Sequence, residues 1–380
     1  MKSGDLRTDL HYWLALTRAP GVGPALAARL LRQFGEPRSL FDAGSASWKA
    51  AGIPVALHGG LREPDWAGVE QDLRWLSGER RQLVTWNDAR YPAPLREIVH
   101  APPALFCQGD PQWLARPQLA IVGARSATPQ GLETAHAFAA ELTRRGLLVT
   151  SGLAQGIDGA AHRGALSAGG ATIAVCATGL DRVYPAAHRK LAHEITARGL
   201  LVSEFPTGTP PLADHFPRRN RLISGLALGV LVVEAAPQSG SLITARFALE
   251  QGREVFAIPG SIHSPMSRGP HRLIRQGAKL TEHVDDILEE LAPLAGGQVR
   301  FEPPPARAPE LEPTQQRVLD ALGFDATPFD LLVERLALPV ESLSEALLAL
   351  ELQGRIAAAP GGAYQRLAGV RARFPEEIGL

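Results

Sequence analysis

From residue 119 to about 290, short apolar runs alternate with longer amphipathic stretches. The runs are LAIVG at 119–123, LLVTSG at 147–152, TIAVCATG at 172–179, LLVSEF at 200–205, GVLVVE at 229–234 and EVFAIPG at 254–260. Each is apolar at consecutive positions, as strands buried on both faces are, whereas a half-exposed strand alternates. Between them, 130–145 and 156–168 repeat at helical spacing. The alternation predicts an α/β fold: a Rossmann-like, mostly parallel sheet with helices on both faces. An earlier short strand is expected at Leu105-Phe106-Cys107.

The flanks have a different period. HYWLALTRAPGVGPALAARLLRQFG at 10–34 reads as two helices joined by Pro20-Gly21-Val22-Gly23, with Pro24 opening the second. The string PGVG is similar to the hairpin of helix-hairpin-helix modules, whose loop amides meet a DNA phosphate. No Lys or Arg lies within the loop, so a hairpin that simply packs on its neighbours is favoured. More short helices are expected over 36–80, with Trp48, Trp66 and Trp75 as core. Residues 293–313 hold many prolines and little periodicity and read as a linker. Three helical segments and a strand–turn–strand follow, the pattern of a winged helix. The expected division is a small N-terminal helical domain at 1–84, the Rossmann-like domain at 85–292, the linker at 293–313 and a C-terminal winged-helix domain at 314–370.

Composition narrows the function. Net charge is zero, so any nucleic-acid site must be a local patch. The positive residues are nearly all arginine; Lys2, Lys49, Lys190 and Lys279 are the only lysines. Cys107 and Cys176 stand far apart with no CxxC pair, which fits a reducing cytoplasm and argues against structural zinc. The N-terminus lacks the apolar core of a signal peptide, and no long uncharged run could cross a membrane. A cytoplasmic protein with no membrane contact is expected.

Candidate chemistry sits at the strand ends, where ligands of such folds bind. Gly123-Ala124-Arg125-Ser126 follow the first run, and Ser151-Gly152 the second. The densest stretch is Arg218 to Thr244. It holds Arg218, Arg219, Asn220 and Arg221, then the strand ending at Glu234, then the turn Ser239-Gly240-Ser241 leading into a helix with Thr244. A Ser/Gly turn at a helix N-terminus is an anion site, because free amides and the positive dipole end face one point. Asn220 suits either a base edge or a brace within the loop. His271 and Arg272, with Arg268 and Arg275, could flank the same groove. No GxGxxG follows the first strand and no GxxxxGK[ST] occurs, which excludes dinucleotide and P-loop readings. HEITA at 193–197 lacks the second histidine of a zinc site, and His162 and His193 read as helix-face residues, so no metal or cofactor is expected. The third helix of the winged segment carries Glu341, Glu345 and Glu351 and no Lys or Arg. Such a helix repels phosphate, which favours protein interaction or stabilisation over DNA reading.

The strings IVGARSATPQG at 121–131, VTSGLAQGIDGAAHRGAL at 149–166, ATGLDRVYPAAH at 177–188, HFPRRNRLISGLA at 215–227 and VVEAAPQSGSLITARFALEQGREVFAIPG at 232–260 closely resemble the DNA-processing protein A (DprA, also called Smf) family. The resemblance implies a non-enzymatic protein of natural transformation. Such a protein binds and protects incoming single-stranded DNA, helps load the recombinase RecA onto it, and dimerises through the Rossmann-like domain. Carried over by motif, the DNA-binding set is Gly123, Arg125, Ser151, Gly152, Arg218, Arg219, Asn220, Arg221, Ser239, Gly240, Ser241 and Thr244, with His271 and Arg272. The rival is a nucleotide phosphoribohydrolase of the lysine-decarboxylase-like class, for which Glu234 at a strand end would serve. Its PGGxGTxxE motif is not met, since QSGSLITAR lacks the second glycine and the glutamate. A winged-helix transcription regulator that senses a nucleotide is a third reading, weakened by the acidic third helix.

Overall fold

The computed structural model describes residues 7–291, 293–294, 311–323 and 325–367. Its centre is a nine-stranded sheet in the order β1-β2-β6-β5-β4-β3-β7-β8-β9. The strands are β1 Arg81–Thr85, β2 Ala104–Gly109, β3 Gln118–Val122, β4 Leu148–Ser151, β5 Thr172–Val175, β6 Leu200–Ser203, β7 Gly229–Val232, β8 Glu254–Ala257 and β9 Lys279–Leu280. β1 and β2 pair antiparallel and β2 joins β6 antiparallel; every other pairing is parallel. The six long runs predicted as buried strands are β3 to β8. The sequence reading did not separate β1 from the helices before it, so the sheet begins four residues ahead of the expected domain start.

All five residues of β3 are buried. Ala120 and Val122 face one side of the sheet, and Leu119 and Ile121 the other. Successive side chains of a strand point to opposite faces, so a strand covered on both must be apolar throughout. The Ala120 side packs on α7 (Ala93–Glu97), α11 (His215–Leu226), α12 (Ser241–Glu250) and α13 (Arg268–Arg275). The Leu119 side packs on α8 (Pro129–Arg144), α9 (Ile157–Ser167) and α14 (Val284–Leu291). α10 (Arg189–Arg198) covers the β5–β6 end of that second face.

The N-terminal unit is α1 (Asp9–Arg18), α2 (Pro24–Phe34), α3 (Pro37–Asp42), α4 (Gly44–Ala50), α5 (His58–Arg62) and α6 (Trp66–Leu76). Trp48 is buried and donates to the Leu40 carbonyl at 2.7 Å, and Trp75 is buried too, as core residues are. Gly21 turns the α1–α2 hairpin at φ 75°, and a Cβ there would stand 2.5 Å from Leu57 Cδ2. The positive φ is what requires glycine at this turn, and the Leu57 side chain packs beside it.

The expected linker at 293–313 lies outside the described residues except for 293–294 and 311–313. Beyond it, α15 (Pro313–Leu322), α16 (Phe329–Leu336) and α17 (Val340–Leu352) carry a three-stranded sheet of β10 (Thr327–Pro328), β11 (Ile356–Ala359) and β12 (Ala363–Arg366). This is the winged helix, with its own core around Leu319, Leu332 and Leu347.

Candidate functional site

After β3 the chain turns to β4 on one side, and it returns only at β7, on the other side of β3. The strand order reverses there, and loops that part in opposite directions leave a crevice beyond the carboxyl ends of the strands. A cleft of about 680 Å³ opens at that point. Its floor is the loop after β3, one wall is the turn after β7, and α11 forms another. The loop and turn are laced together: Ala124 N donates to Glu234 O at 2.7 Å, and Ile157 N to Ala124 O at 3.2 Å. Gly123 permits the close approach, since a Cβ would fall 2.6 Å from Ile157 Cγ1 and 2.8 Å from Glu234 O.

The turn after β7 is ordered by its serines. Ser239 Oγ and Ser241 Oγ lie 2.7 Å apart, and Asn220 Nδ2 donates to Gly240 O at 3.2 Å. Asn220 therefore acts as the brace, one of its two expected roles. α12 starts at Ser241, so the positive end of its dipole lies at the cleft beside Ser239, Gly240 and Thr244, while the amides of Ser241, Leu242 and Ile243 donate within the turn to Ser239 Oγ, Ser239 O and Gly240 O.

The arginines divide into two groups. Arg125 is exposed, and its guanidinium carbon lies 5.2 Å from the Phe216 ring centre. Among the described residues no carboxylate pairs with it. Arg219 is buried, with Nη1 4.0 Å from Asp158 Oδ2, and still lines the cleft. Burial pulls the Arg219 guanidinium below its usual range and pushes the Asp158 carboxyl above its own; each opposes the other's shift. Gly152 leaves room for Arg219: a Cβ there would stand 1.6 Å from Nη1. Arg221 points elsewhere, into a buried ion pair with Glu204 at the end of β6. Arg218 lies 3.7 Å from the same carboxylate, with its guanidinium over the Phe205 ring.

Of the expected site residues, the cleft gathers Gly123, Arg125, Arg219, Asn220, Ser239, Gly240, Ser241 and Thr244. Gly152 lines an adjoining recess. Ser151 is buried and donates to Ile121 O at 2.6 Å, tying β4 to β3. Arg218 and Arg221 turn to Glu204 because α11 starts at His215 and carries all four RRNR residues on helical turns. His271 Nε2 accepts from Gly260 N at 3.3 Å, and Arg272 lines an adjoining groove between α12 and α13 that shares Gln238, Ser239 and Ile243 with the cleft. Neither His271 nor Arg272 lines the cleft. Sequence reasoning missed Phe216 and Asp158. Phe216, Arg219, Asn220 and Ile223 share one face at helical spacing, and that period was the available signal.

Glu234 is tied to the start of α8 through both oxygens. Its two oxygens accept from Thr128 N at 2.9 Å and Thr128 Oγ1 at 2.6 Å, and Thr128 in turn caps α8. Gly131 makes way for that carboxylate, which a Cβ would meet at 2.4 Å. His162 is buried in α9 with Nδ1 2.8 Å from Thr172 Oγ1, and burial pushes its pKa down to about 3. Among the described residues no group of three or more His, Cys, Asp or Glu is placed to hold a metal, and no helix is long and apolar enough to cross a membrane.

Comparison with known proteins bears on the same region. The sequence model of the family DNA recombination-mediator protein A matches residues 82–292, and that of the DprA winged helix domain matches residues 302–362. Protein Smf of Escherichia coli (strain K12) is 46% identical over 307 residues, covering 79% of this chain and 81% of that protein. DNA processing protein DprA of Bacillus subtilis (strain 168) is 46% identical over 57% of this chain and 75% of its own. The X-ray structure of DNA processing protein A from Streptococcus pneumoniae aligns with a TM-score of 0.66 at 38% identity, over 75% of this chain and 98% of that one. A Helicobacter pylori DNA processing protein A, whose structure is described as showing a single-stranded DNA binding mode, aligns at 0.51 and 30% identity over 56% and 97%.

Proposed function

The chain belongs to the DNA recombination-mediator protein A family of DNA-processing proteins, and from that premise we propose that its cleft binds single-stranded DNA during natural transformation, protects it and helps load RecA. One observation carries the reading. The exposed, unpaired Arg125 and the Ser239–Ser241 turn at the start of α12 line one 680 Å³ cleft, at the point where the strand order reverses. A guanidinium offers forked donors to phosphate, and the positive dipole end of α12 with the Ser239 and Ser241 hydroxyls favours a second phosphate oxygen without lysine. In a chain of zero net charge, such a local cluster is what nucleic acid can find.

Catalysis is not part of the proposal. The rival phosphoribohydrolase reading needs a free carboxylate at the end of β7, and both oxygens of Glu234 are bonded to Thr128. We place the protein in the cytoplasm and expect a homodimer through the Rossmann-like domain. Two copies would put two weak sites on one strand and raise avidity through effective concentration.

The test is fluorescence anisotropy with a labelled poly-thymidine strand, challenged by unlabelled single-stranded and duplex competitors at two salt concentrations. Salt-sensitive binding, displaced far better by single strands, is the expected result. Absence of binding, or equal competition by duplex, would overturn it and direct the search to nucleoside monophosphates.

A further inference from the structure

The two groups that would hold phosphate in the cleft belong to different connections. Arg125 stands in the loop after β3, and the Ser239–Ser241 turn follows β7. Loops at a reversal of strand order part in opposite directions, so the sheet alone does not fix their separation. Glu234, the second residue past β7, joins them. Its carbonyl accepts from Ala124 N at 2.7 Å, and its carboxylate accepts from Thr128 N at 2.9 Å and Thr128 Oγ1 at 2.6 Å. One residue thus holds both ends of the short segment Arg125-Ser126-Ala127. Among the described residues, every hydrogen bond between 123–128 and 234–241 is made by Glu234. The start of α9 closes on the same loop: a Cβ on Gly156 would fall 2.6 Å from Arg125 O. The backbone at Arg125 is gripped, while its side chain stays exposed. The Glu234 charge faces the start of α8, where Thr128 Oγ1 accepts from Gly131 N at 3.0 Å, and so meets the positive end of that helix.

We propose that Glu234 is a positioning residue for Arg125: it sets the guanidinium at a fixed place relative to the Ser239–Ser241 turn, so that both meet one strand already arranged. The inference rests on the single-stranded DNA reading and adds the residue that pre-arranges the site. Glu234 acts through Arg125 and makes no contact with the strand. A guanidinium on a loose loop must be ordered as DNA binds, which weakens affinity. Hydrogen bonds from behind remove that cost, provided they hold the group to within about 0.5 Å.

The test measures anisotropy of a labelled thymidine oligonucleotide on the full-length protein and on Glu234→Ala, Glu234→Gln and Thr128→Val, each made alone and together with Arg125→Ala. Glu234→Ala alone should weaken binding about 2- to 12-fold, the cost of ordering one long side chain at an interface. In the Arg125→Ala background the same change should have no further effect, since no guanidinium is left to place. Glu234→Gln keeps both ties, with Oε1 accepting from Thr128 N and Nε2 donating to Thr128 Oγ1, and should bind within about twofold of the wild type. Thr128→Val removes only the hydroxyl tie. It should lose less than Glu234→Ala, again only where Arg125 is present, and it decides by the same comparison if Glu234→Ala does not fold. Unchanged affinity of folded Glu234→Ala overturns the proposal. Equal loss with and without Arg125 also overturns it, making Glu234 a general brace of the fold, and so does a Glu234→Gln as weak as Glu234→Ala. All three leave the DNA-binding reading standing. A wild type that binds no oligonucleotide overturns the proposal and the reading beneath it together.

Discussion

Neighbouring residues on an α-helix are turned by about 100° from one another, so four in a row cannot enter one cleft. Arg219 and Asn220 line it, whereas Arg218 and Arg221 share the Glu204 carboxylate. Arg125 and Arg221 should therefore fail in opposite ways. Arg125→Ala should weaken single-strand binding about 10- to 100-fold, as loss of a charge-assisted bond does. It should flatten the salt slope by about 0.7 and leave the unfolding midpoint in place. Arg221→Ala should leave the buried Glu204 with only the looser Arg218 contact at 3.7 Å and cost about 3 kcal/mol in urea denaturation. Replacing both partners, Arg221→Met with Glu204→Leu, should restore most of that stability; if it does not, the pair has a role beyond bracing. His162 sets an acid limit. Its folded pKa of about 3 lies below the ordinary value of 6.5, so between those values the unfolded chain binds more protons. Its contribution is complete above pH 6.5 and is lost as the pH falls toward 3. Below pH 6.5 the wild type should lose about 1.4 kcal/mol per pH unit more than His162→Gln; parallel pH profiles would show that the histidine carries no such load.

Whether an element could be read from the sequence depended on its burial. β3 to β8 are apolar at consecutive positions because helices cover both faces, and that pattern stands out. β1, RQLVT, is an edge strand with one buried residue in five, and β9 is two residues long; neither leaves a run to recognise. The cleft's glycines and serines were legible because strand ends in this fold have few uses for them. The ring of Phe216 was hidden among arginines, and only the helix bounds reveal its face. In the winged unit, α17 came through as expected, with Glu341, Glu345 and Glu351 exposed. Val340, Leu348 and Leu352 are exposed beside them, so the helix presents acid and apolar groups and no cation. A duplex reader needs the reverse charge. Deleting residues 305–380 should leave affinity for a thymidine strand within about threefold by anisotropy, a change smaller than one phosphate contact is worth. Complete loss of binding in a folded truncation would mean that the acidic helix is a poor guide to what the unit does.

Across the whole molecule, the N-terminal helices and the sheet share one core. Leu14, Ala15, Val69 and Trp75 pack with Phe106, Ala174 and Leu201 of β2, β5 and β6. A polar clamp closes over this seam. Asp72 of α6 is fully buried, bonds Arg18 of α1 at 2.5 and 2.9 Å, and accepts from Thr207 N at 2.9 Å and Thr207 Oγ1 at 2.7 Å. Thr207 lies in the segment that runs from β6 to α11, so the clamp reaches the helix that walls the cleft. A seam with both apolar packing and a satisfied buried charge should not open on its own, and residues 7–291 should unfold in one step. Two probes test this: tryptophan fluorescence, which Trp13, Trp48, Trp66 and Trp75 make sensitive to the N-terminal helices, and single-strand binding, which follows the cleft. Their urea transitions should coincide. Asp72→Ala should move both to lower urea by the same amount, about 3 kcal/mol, since Thr207 N loses its acceptor and Arg18 keeps only Asp65 and the Thr207 carbonyl. A fluorescence transition that precedes loss of binding would instead make the helices a separable unit and leave the cleft standing on the sheet alone.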